Sequence, residues 1–209
     1  MDCYKRAKWI GAPEFLRAPV DVFYPEEQPV SGVEEQHPEA LRNYHMLVRR
    51  TLSVDELTAP ITLRITADDY YKLYINGAYV GQGPAPAYAE HYWYNEYDVT
   101  PFLKVGENVI AVHCYYQGLI NRVWNSGDLR QGLWAELYSG EVCILATDES
   151  WKYVRTYEYG QGELLGYKTQ YLENMDARLQ FKGWKLPEYD DREWLSLCIR
   201  EEDDHRLFK

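Results

Sequence analysis

The sequence is poor in the features that would assign it to a familiar functional class. Its 4 cysteines, Cys3, Cys114, Cys143 and Cys198, form no C-x-x-C pair and no zinc-ligand spacing. The 5 histidines (His37, His45, His91, His113 and His205) show no H-x-E or H-x-x-x-H pattern. His113, inside a strand-like run, reads as a satisfied core histidine rather than a ligand. No G-x-S-x-G nucleophile elbow occurs. The stretch GQGPAP (81–86) lacks the Lys-Ser/Thr of a phosphate loop, and Pro84 and Pro86 remove backbone donors, so it reads as a plain loop. No run approaches the ~20 apolar residues of a membrane span. The opening MDCYKRAKWIGAP carries no apolar stretch of the signal-peptide kind. Basic residues are scarce, 22 against 33 acids, and the formal charge is −11. That balance argues against nucleic acid and against anionic membranes, which both need a basic face. Cys114 and Cys143 sit in apolar runs where free cysteine behaves as a small hydrophobe. A cytoplasmic protein is expected.

Helical periodicity is also scarce, whereas strand alternation is common. ITLRITA (61–67) sets Ile61, Leu63, Ile65 and Ala67 against Thr62, Arg64 and Thr66. YKLYING continues the alternation, and Asn76-Gly77 supplies the two positive-φ residues of a type I′ turn before AYVGQG returns. NVIAVHCYY (108–116) is apolar on both faces, as befits a central strand, and LWAELY, VCILA and WKYVRTY follow at short spacing. Many short strands between turns predict an all-β, antiparallel β-sandwich. Thr100 is expected to cap a turn begun by Pro101, with Leu103 in the core and Gly106 reversing the chain. In TDESWKY and YDDREWLSL an acid caps a single turn, and Trp151 or Trp194 plugs the sandwich. The alternative for Asp190-Asp191, a catalytic or metal-binding pair, explains less. Residues 1–43 are expected as an N-terminal extension packing on the sandwich. Its Pro/Glu-rich stretch, from residue 19, is an irregular excursion with room for a short helix. Residues 44–198 form the sandwich, and 199–209 an acidic tail or linker start.

Aromatics are the surplus: 20 Tyr and 7 Trp exceed what a core needs. In EHYWYNEYDVT (90–100), Tyr97 leads into the turn and reads as core, whereas His91, Tyr92 and Trp93 are candidates for an exposed stacking platform. The long loop 116–132 brings Arg122, Trp124, Asn125 and Asp128 together. A ring with amide, carboxylate and guanidinium nearby suits a sugar site, and docking or simple packing explains the loop equally well. No catalytic pair stands out, because Glu34-Glu35, Asp68-Asp69 and Asp190-Asp191 would point to opposite faces if extended. No cofactor is expected. Calcium stays an open alternative through Asp68, Asp69, Asn125 and Asp128, although no EF-hand-like spacing points to them.

AKWIGAP, LVRRTLSV, ITADDYYKLYINGAYVGQGPAP, YDVTPFLKVGENVIAV, LATDESWKY, YLENMDARLQFKGW and PEYDDREWLSL occur in this order. Together they resemble the N-terminal β-sandwich region of bacterial α-L-rhamnosidases over about residues 45–200. The segment Glu173, Asp176, Ala177, Arg178 closes the set. The resemblance implies a galactose-binding-like jelly roll that is an accessory module in inverting glycosidases releasing terminal L-rhamnose. The catalytic acid and base of that family lie on a later (α/α)6 barrel, so the resemblance carries no catalytic residue to this sequence. The expectation is a carbohydrate-binding or scaffold module, inactive alone, whose partners are rhamnose-containing glycans or glycosides and the barrel. A protein-docking module with no sugar binding of its own is the alternative.

Overall fold

A computed structural model describes residues 7–16, 39–88, 91–118, 126–127, 131–160, 162–165, 170–200 and 206–208. In chain order the first strands are β1 (Ile10–Gly11), β2 (Tyr44–Val54), β3 (Ile61–Asp68), β4 (Tyr70–Ile75) and β5 (Ala78–Gly83). The next are β6 (Ala87–Tyr88), β7 (His91–Trp93), β8 (Asn95–Asp98), β9 (Gly106–Tyr116) and β10 (Ser126–Gly127). Then come β11 (Gly132–Ser139), β12 (Val142–Ala146), β13 (Lys152–Thr156), β14 (Tyr159–Gly160) and β15 (Leu164–Leu165). The last are β16 (Gln170–Tyr171), β17 (Asn174–Met175), β18 (Leu195–Ser196), β19 (Cys198–Ile199) and β20 (Arg206–Phe208).

Two antiparallel sheets make the sandwich, one ordered β18-β13-β2-β9-β4-β5 and the other β19-β1-β11-β3-β8 with β12 also on β11. The alternation read from the sequence is what packs them. Ile61, Leu63 and Ile65 of β3, with Leu133, Ala135 and Leu137 of β11, face Met46, Val48, Ile110, Val112, Leu73 and Ile75 of the opposite sheet. All are buried to 2% exposure or less. Each of the Ile, Leu, Val and Met side chains contributes about 1.5–3 kcal/mol of hydrophobic transfer. The Asn76-Gly77 turn has the expected positive φ at both residues, 50° and 87°. Trp151 and Trp194 are both buried. Trp151 N–H donates to the Asp148 carbonyl, and Trp194 N–H to that of Asp191.

Three expectations are corrected. Thr100 does not cap the turn at 100–102 but is its first residue, after Val99, and the Asp98 carboxylate accepts from its N–H at 3.0 Å. The Thr100 hydroxyl instead accepts from Ile61 N–H at 2.8 Å, tying the turn to β3. The segment before Tyr44 does more than pack on the sandwich: β1 joins the second sheet between β11 and β19, and Trp9, Ile10 and Phe15 are buried. Beyond Leu197, β19 pairs with β1, and β20 lies parallel to β7 with Leu207 opposite Tyr92. The terminal stretch is thus partly structured rather than wholly tail. Most of the Pro/Glu-rich excursion, 17–38, lies outside the described residues.

Because β-strand side chains alternate, the sheet containing β2, β9 and β4 has an outer face as well as an inner one. At one end of it Leu47 and Ala111 are covered by Trp184 and Trp194. Arg49, fully buried, fastens that cover. Its guanidinium donates to the carbonyls of Trp184, Leu186 (3.1 Å) and Tyr189 (3.3 Å) and to the Asp191 carboxylate at 2.9 Å.

Candidate functional site

At the other end of this outer face, register builds a row of rings. His45 of β2 lies opposite Tyr115 of β9, and Tyr115 lies opposite Tyr70 of β4. Cross-strand neighbours on one face sit close enough for their side chains to pack. The His45 and Tyr115 rings stack at 4.3 Å with 12° between planes, and Tyr115 and Tyr70 follow at 6.0 Å and 13°. Tyr159, from β14, lies over the row, stacked on His45 at 4.3 Å and near His113 at 5.1 Å.

β14 is held in place by short polar contacts. Asp176 N–H donates to Glu158 O at 2.7 Å, and Asn43 Nδ2 donates to Gly160 O at 3.0 Å. The second of these fixes the polarity of a buried chain. Once the Asn43 amide nitrogen is spent on a carbonyl, Asn43 Oδ1 accepts from His45 Nε2–H, at 3.3 Å. His45 Nδ1 is then bare and accepts from His113 Nε2–H, at 3.0 Å. Both imidazoles are neutral. Burial pushes His45 down to about 2, helped by His113, Lys72 and Arg155. Burial also pushes His113 down to about 3, helped by Lys72 and Lys185. Burial first, and then nearby carboxylates, raise the phenols of Tyr70, Tyr115 and Tyr159 and keep them protonated.

These residues line a cleft of about 480 Å³. Its opposite wall is the end of β5 with Pro84 and Ala85, beside Asn95, and Tyr171, Glu173 and Asn174 close the third side. Gly83 is required there, since a β-carbon would lie 2.9 Å from the Tyr71 hydroxyl. That hydroxyl donates to Asn95 Oδ1 at 2.8 Å. Gln117 completes the wall at the end of β9. Its backbone is clamped: N–H donates to Asp69 Oδ2 at 2.6 Å, and its carbonyl accepts from Asn43 N–H at 3.0 Å. Among the described lining residues only Lys72 and Glu173 carry charge, one of each sign. The cleft therefore offers aromatic rings, amides and hydroxyls in a nearly uncharged setting, which suits a neutral polyhydroxylated ligand.

The sequence candidates fall elsewhere or outside view. Tyr92 does not belong to an exposed platform. It is 2% exposed, its ring packs at 4.8 Å on Trp9, and its hydroxyl donates to Asp68 Oδ2 at 2.8 Å. Alternation puts Trp93 on the other side of the same strand, 43% exposed. The His91 side chain and Arg122, Trp124, Asn125 and Asp128 lie outside the described residues. Neither Tyr92 nor Trp93 lines the cleft. Among the calcium candidates, Asp68 and Asp69 accept from Tyr92 and Gln117 respectively. No group of three potential ligands forms among the described residues. The acid pair Asp190-Asp191 is structural: Asp190 holds Arg192 at 2.6 Å and Asp191 holds Arg49. No helix among the described residues is long and apolar enough to cross a membrane. Sequence reading missed His45, Tyr70, Tyr115, Gln117 and Tyr159. The available signal was strand parity, which puts His45, His113 and Tyr115 on the face away from the core, but the row itself depends on register between distant strands.

Residues 58–209 match the model of the family described as alpha-L-rhamnosidase N-terminal domain. An alpha-L-rhamnosidase of Formosa agariphila is 24% identical over 208 residues, covering 90% of this chain and 20% of its own length. One from Streptomyces avermitilis is 26% identical over 153 residues, covering 68% of this chain and 14% of its own. Among solved structures, a GH78-family rhamnosidase of Bacillus sp. GL1 superposes with a TM-score of 0.76 at 26% identity, covering 97% of this chain and 19% of that one. The chain thus spans about one fifth or less of the length of these relatives. The family match covers well over half of the sequence: the chain belongs to the α-L-rhamnosidase N-terminal domain family.

Proposed function

We propose that the chain is a non-catalytic saccharide-binding module of an α-L-rhamnosidase-like glycoside hydrolase, with the outer-face cleft as its site. The observation that carries this reading is the cleft's chemistry: stacked, uncharged rings and amides around about 480 Å³ of space. Sugars present C–H faces to rings and hydroxyls to amides, and neither interaction needs charge. The ligand class that fits the family is a rhamnose-containing glycan or glycoside. Arg122, Trp124, Asn125 and Asp128 stay part of this proposal because they follow the cleft residue Gln117 within a few positions in the sequence. Hydrolysis is not assigned to this chain, whose paired carboxylates Asp190 and Asp191 hold arginines. No cofactor enters the reading. The free thiols of Cys114 and Cys198 support a reducing, cytoplasmic setting.

The test is calorimetric titration with L-rhamnose and rhamnosylated oligosaccharides, run in calcium and again in chelator. Saturable binding is expected, with Kd no weaker than about 10 mM, equal in both buffers and weakened by about tenfold or more in Tyr159→Ala. Absence of binding at about tens of millimolar sinks the reading. A second reading, a docking module for the catalytic (α/α)6 barrel, is supported by exposed apolar side chains around the β14–β17 arm: Tyr157, Leu164, Leu172, Met175 and Leu179. It is also supported by relatives about five times the length of this chain.

A further inference from the structure

Among the described residues that line the cleft, Lys72 is the one cation. It comes from β4, where Tyr71, Leu73 and Ile75 turn into the sandwich core, so alternation sends Tyr70, Lys72 and Tyr74 to the outer face. Register then sets its neighbours: His113 of β9 lies opposite it on one side and Gln82 of β5 on the other. Opposite charges at such cross-strand positions stabilise a sheet, and here both positions are neutral. His113 is an uncharged imidazole, Gln82 an amide, and Tyr70, two residues along, a protonated phenol. No ion pair reaches Lys72 among the described residues, although the chain has 33 acids to 22 bases.

The ammonium makes this part of the cleft electropositive. Behind burial, it helps to hold both His45 and His113 neutral. A second cation stands close by: Lys185 Nζ lies 3.8 Å from the Tyr74 ring centroid. Burial lowers the pKa of Lys185 first, Glu158 works against that, and Lys72 adds to it. Glu158 thus balances Lys185, and no described carboxylate balances Lys72. The acid of the described lining, Glu173, stands on the third side of the cleft. There, behind burial and other charges, it helps to raise the phenols of Tyr115 and Tyr159.

We infer that the cleft selects a saccharide bearing an acidic group, a carboxylate or a sulfate ester, and that Lys72 is the residue that pairs with it. This rests on the saccharide-binding reading above and adds the charge and the direction of the ligand. The acidic end lies over β4, where an ammonium bordered by rings makes a charge-assisted hydrogen bond. The neutral, hydroxyl-rich end points to Glu173 and Asn174, which accept from its hydroxyls and turn away a second anion.

The experiment uses the 209-residue chain and titrates three sugars by calorimetry: a disaccharide of rhamnose and glucuronic acid, its counterpart with glucose, and that counterpart carrying a sulfate ester. In about 0.01 M salt at least one acidic sugar should bind about fivefold or more tightly than the neutral one, and in about 1 M salt the gap should close. The tighter of the two identifies the acidic group. Lys72→Gln should bring the acidic sugars down to the neutral affinity and leave the neutral sugar within about twofold. Its Tm should stay level, because the substitution breaks no ion pair. Lys72→Arg keeps the charge and should keep the preference. A lysine that serves only the surface would leave the preference intact in Lys72→Gln. Should Lys72→Gln fail to fold, the salt dependence of the unsubstituted chain decides. Equal affinity for acidic and neutral sugars, tighter binding of the neutral one, or a preference that survives Lys72→Gln or high salt overturns this inference while leaving saccharide binding standing. A chain that binds none of the three overturns both.

Discussion

Along the outer face of the sheet formed by β13, β2, β9 and β4, Leu47 and Ala111 lie under Trp184 and Trp194. Two residues further along the same strands, His45 and His113 face a cleft instead. Both ends are rich in aromatic rings, but their chemistry differs. The covered end is apolar, and the one charge it buries, Arg49, is matched by three carbonyls and the Asp191 carboxylate. The open end is lined with groups whose polar tips need partners: phenols, imidazoles and amides. A strand face that is apolar draws the chain back over itself. One that alternates rings with hydrogen-bonding tips stays partly open, because sealing it would leave those tips unpaired.

The difference between the ends can be broken at the clamp first. Arg49→Met leaves Asp191 and the three carbonyls without their cation and should destabilise the chain by roughly 3–5 kcal/mol, read from urea unfolding. Acid comes next, and it acts at the open end. Folded His45 and His113 titrate far below the unfolded value of 6.5, at about 2 and 3. The unfolded chain therefore takes up protons below pH 6.5 that the folded chain refuses. Stability is fully present above that pH and falls as pH drops toward 3, by up to ~1.4 kcal/mol per pH unit for each ring. His113→Gln should flatten this slope in unfolding curves recorded from pH 7 to 4, and an unchanged slope would refute the assignment of neutral buried rings. Ligand binding is a finer probe: Tyr159→Ala removes the ring stacked on His45 and should weaken saccharide binding by about tenfold or more. Arg49→Met should leave that affinity unchanged wherever the chain is still folded. Arg192→Ala completes the series. Its partner Asp190 adjoins Asp191, but the pair is solvent-exposed, so no measurable change in Tm is expected.

How much of this was legible in the sequence depends on the range of the interactions. The strands at 61–68 and 70–75 followed from period-two alternation, that at 106–116 from a run apolar on both faces, and the returning strand at 78–83 from the Asn76-Gly77 turn, because these signals act within a few residues. The cap at 98–102 was read one step out. Sequence favours Thr100 before Pro101, but the Thr100 hydroxyl is held by Ile61 N–H, some forty positions earlier, and the Thr100 N–H is taken by the Asp98 carboxylate. The aromatic stretch at 90–97 was read only partly in its exposure. Tyr92 turns inward to Trp9 and Asp68, contacts made with remote segments. The cleft was the least legible feature. His45 and His113 are 68 positions apart, and nothing local in either strand announces that register will set them side by side beneath Tyr159.

Register also decides how freely this surface can change. His45, Tyr115 and Tyr70 occupy one cross-strand row, and Tyr44, Met46, Cys114, Tyr116 and Tyr71 beside them along the chain point the other way, into the shared interior. The row behaves like type set in a fixed frame: letters can be exchanged one at a time while the frame holds its shape. A lineage, or a designer, could rewrite what the domain recognises through three outward positions and leave the sandwich untouched.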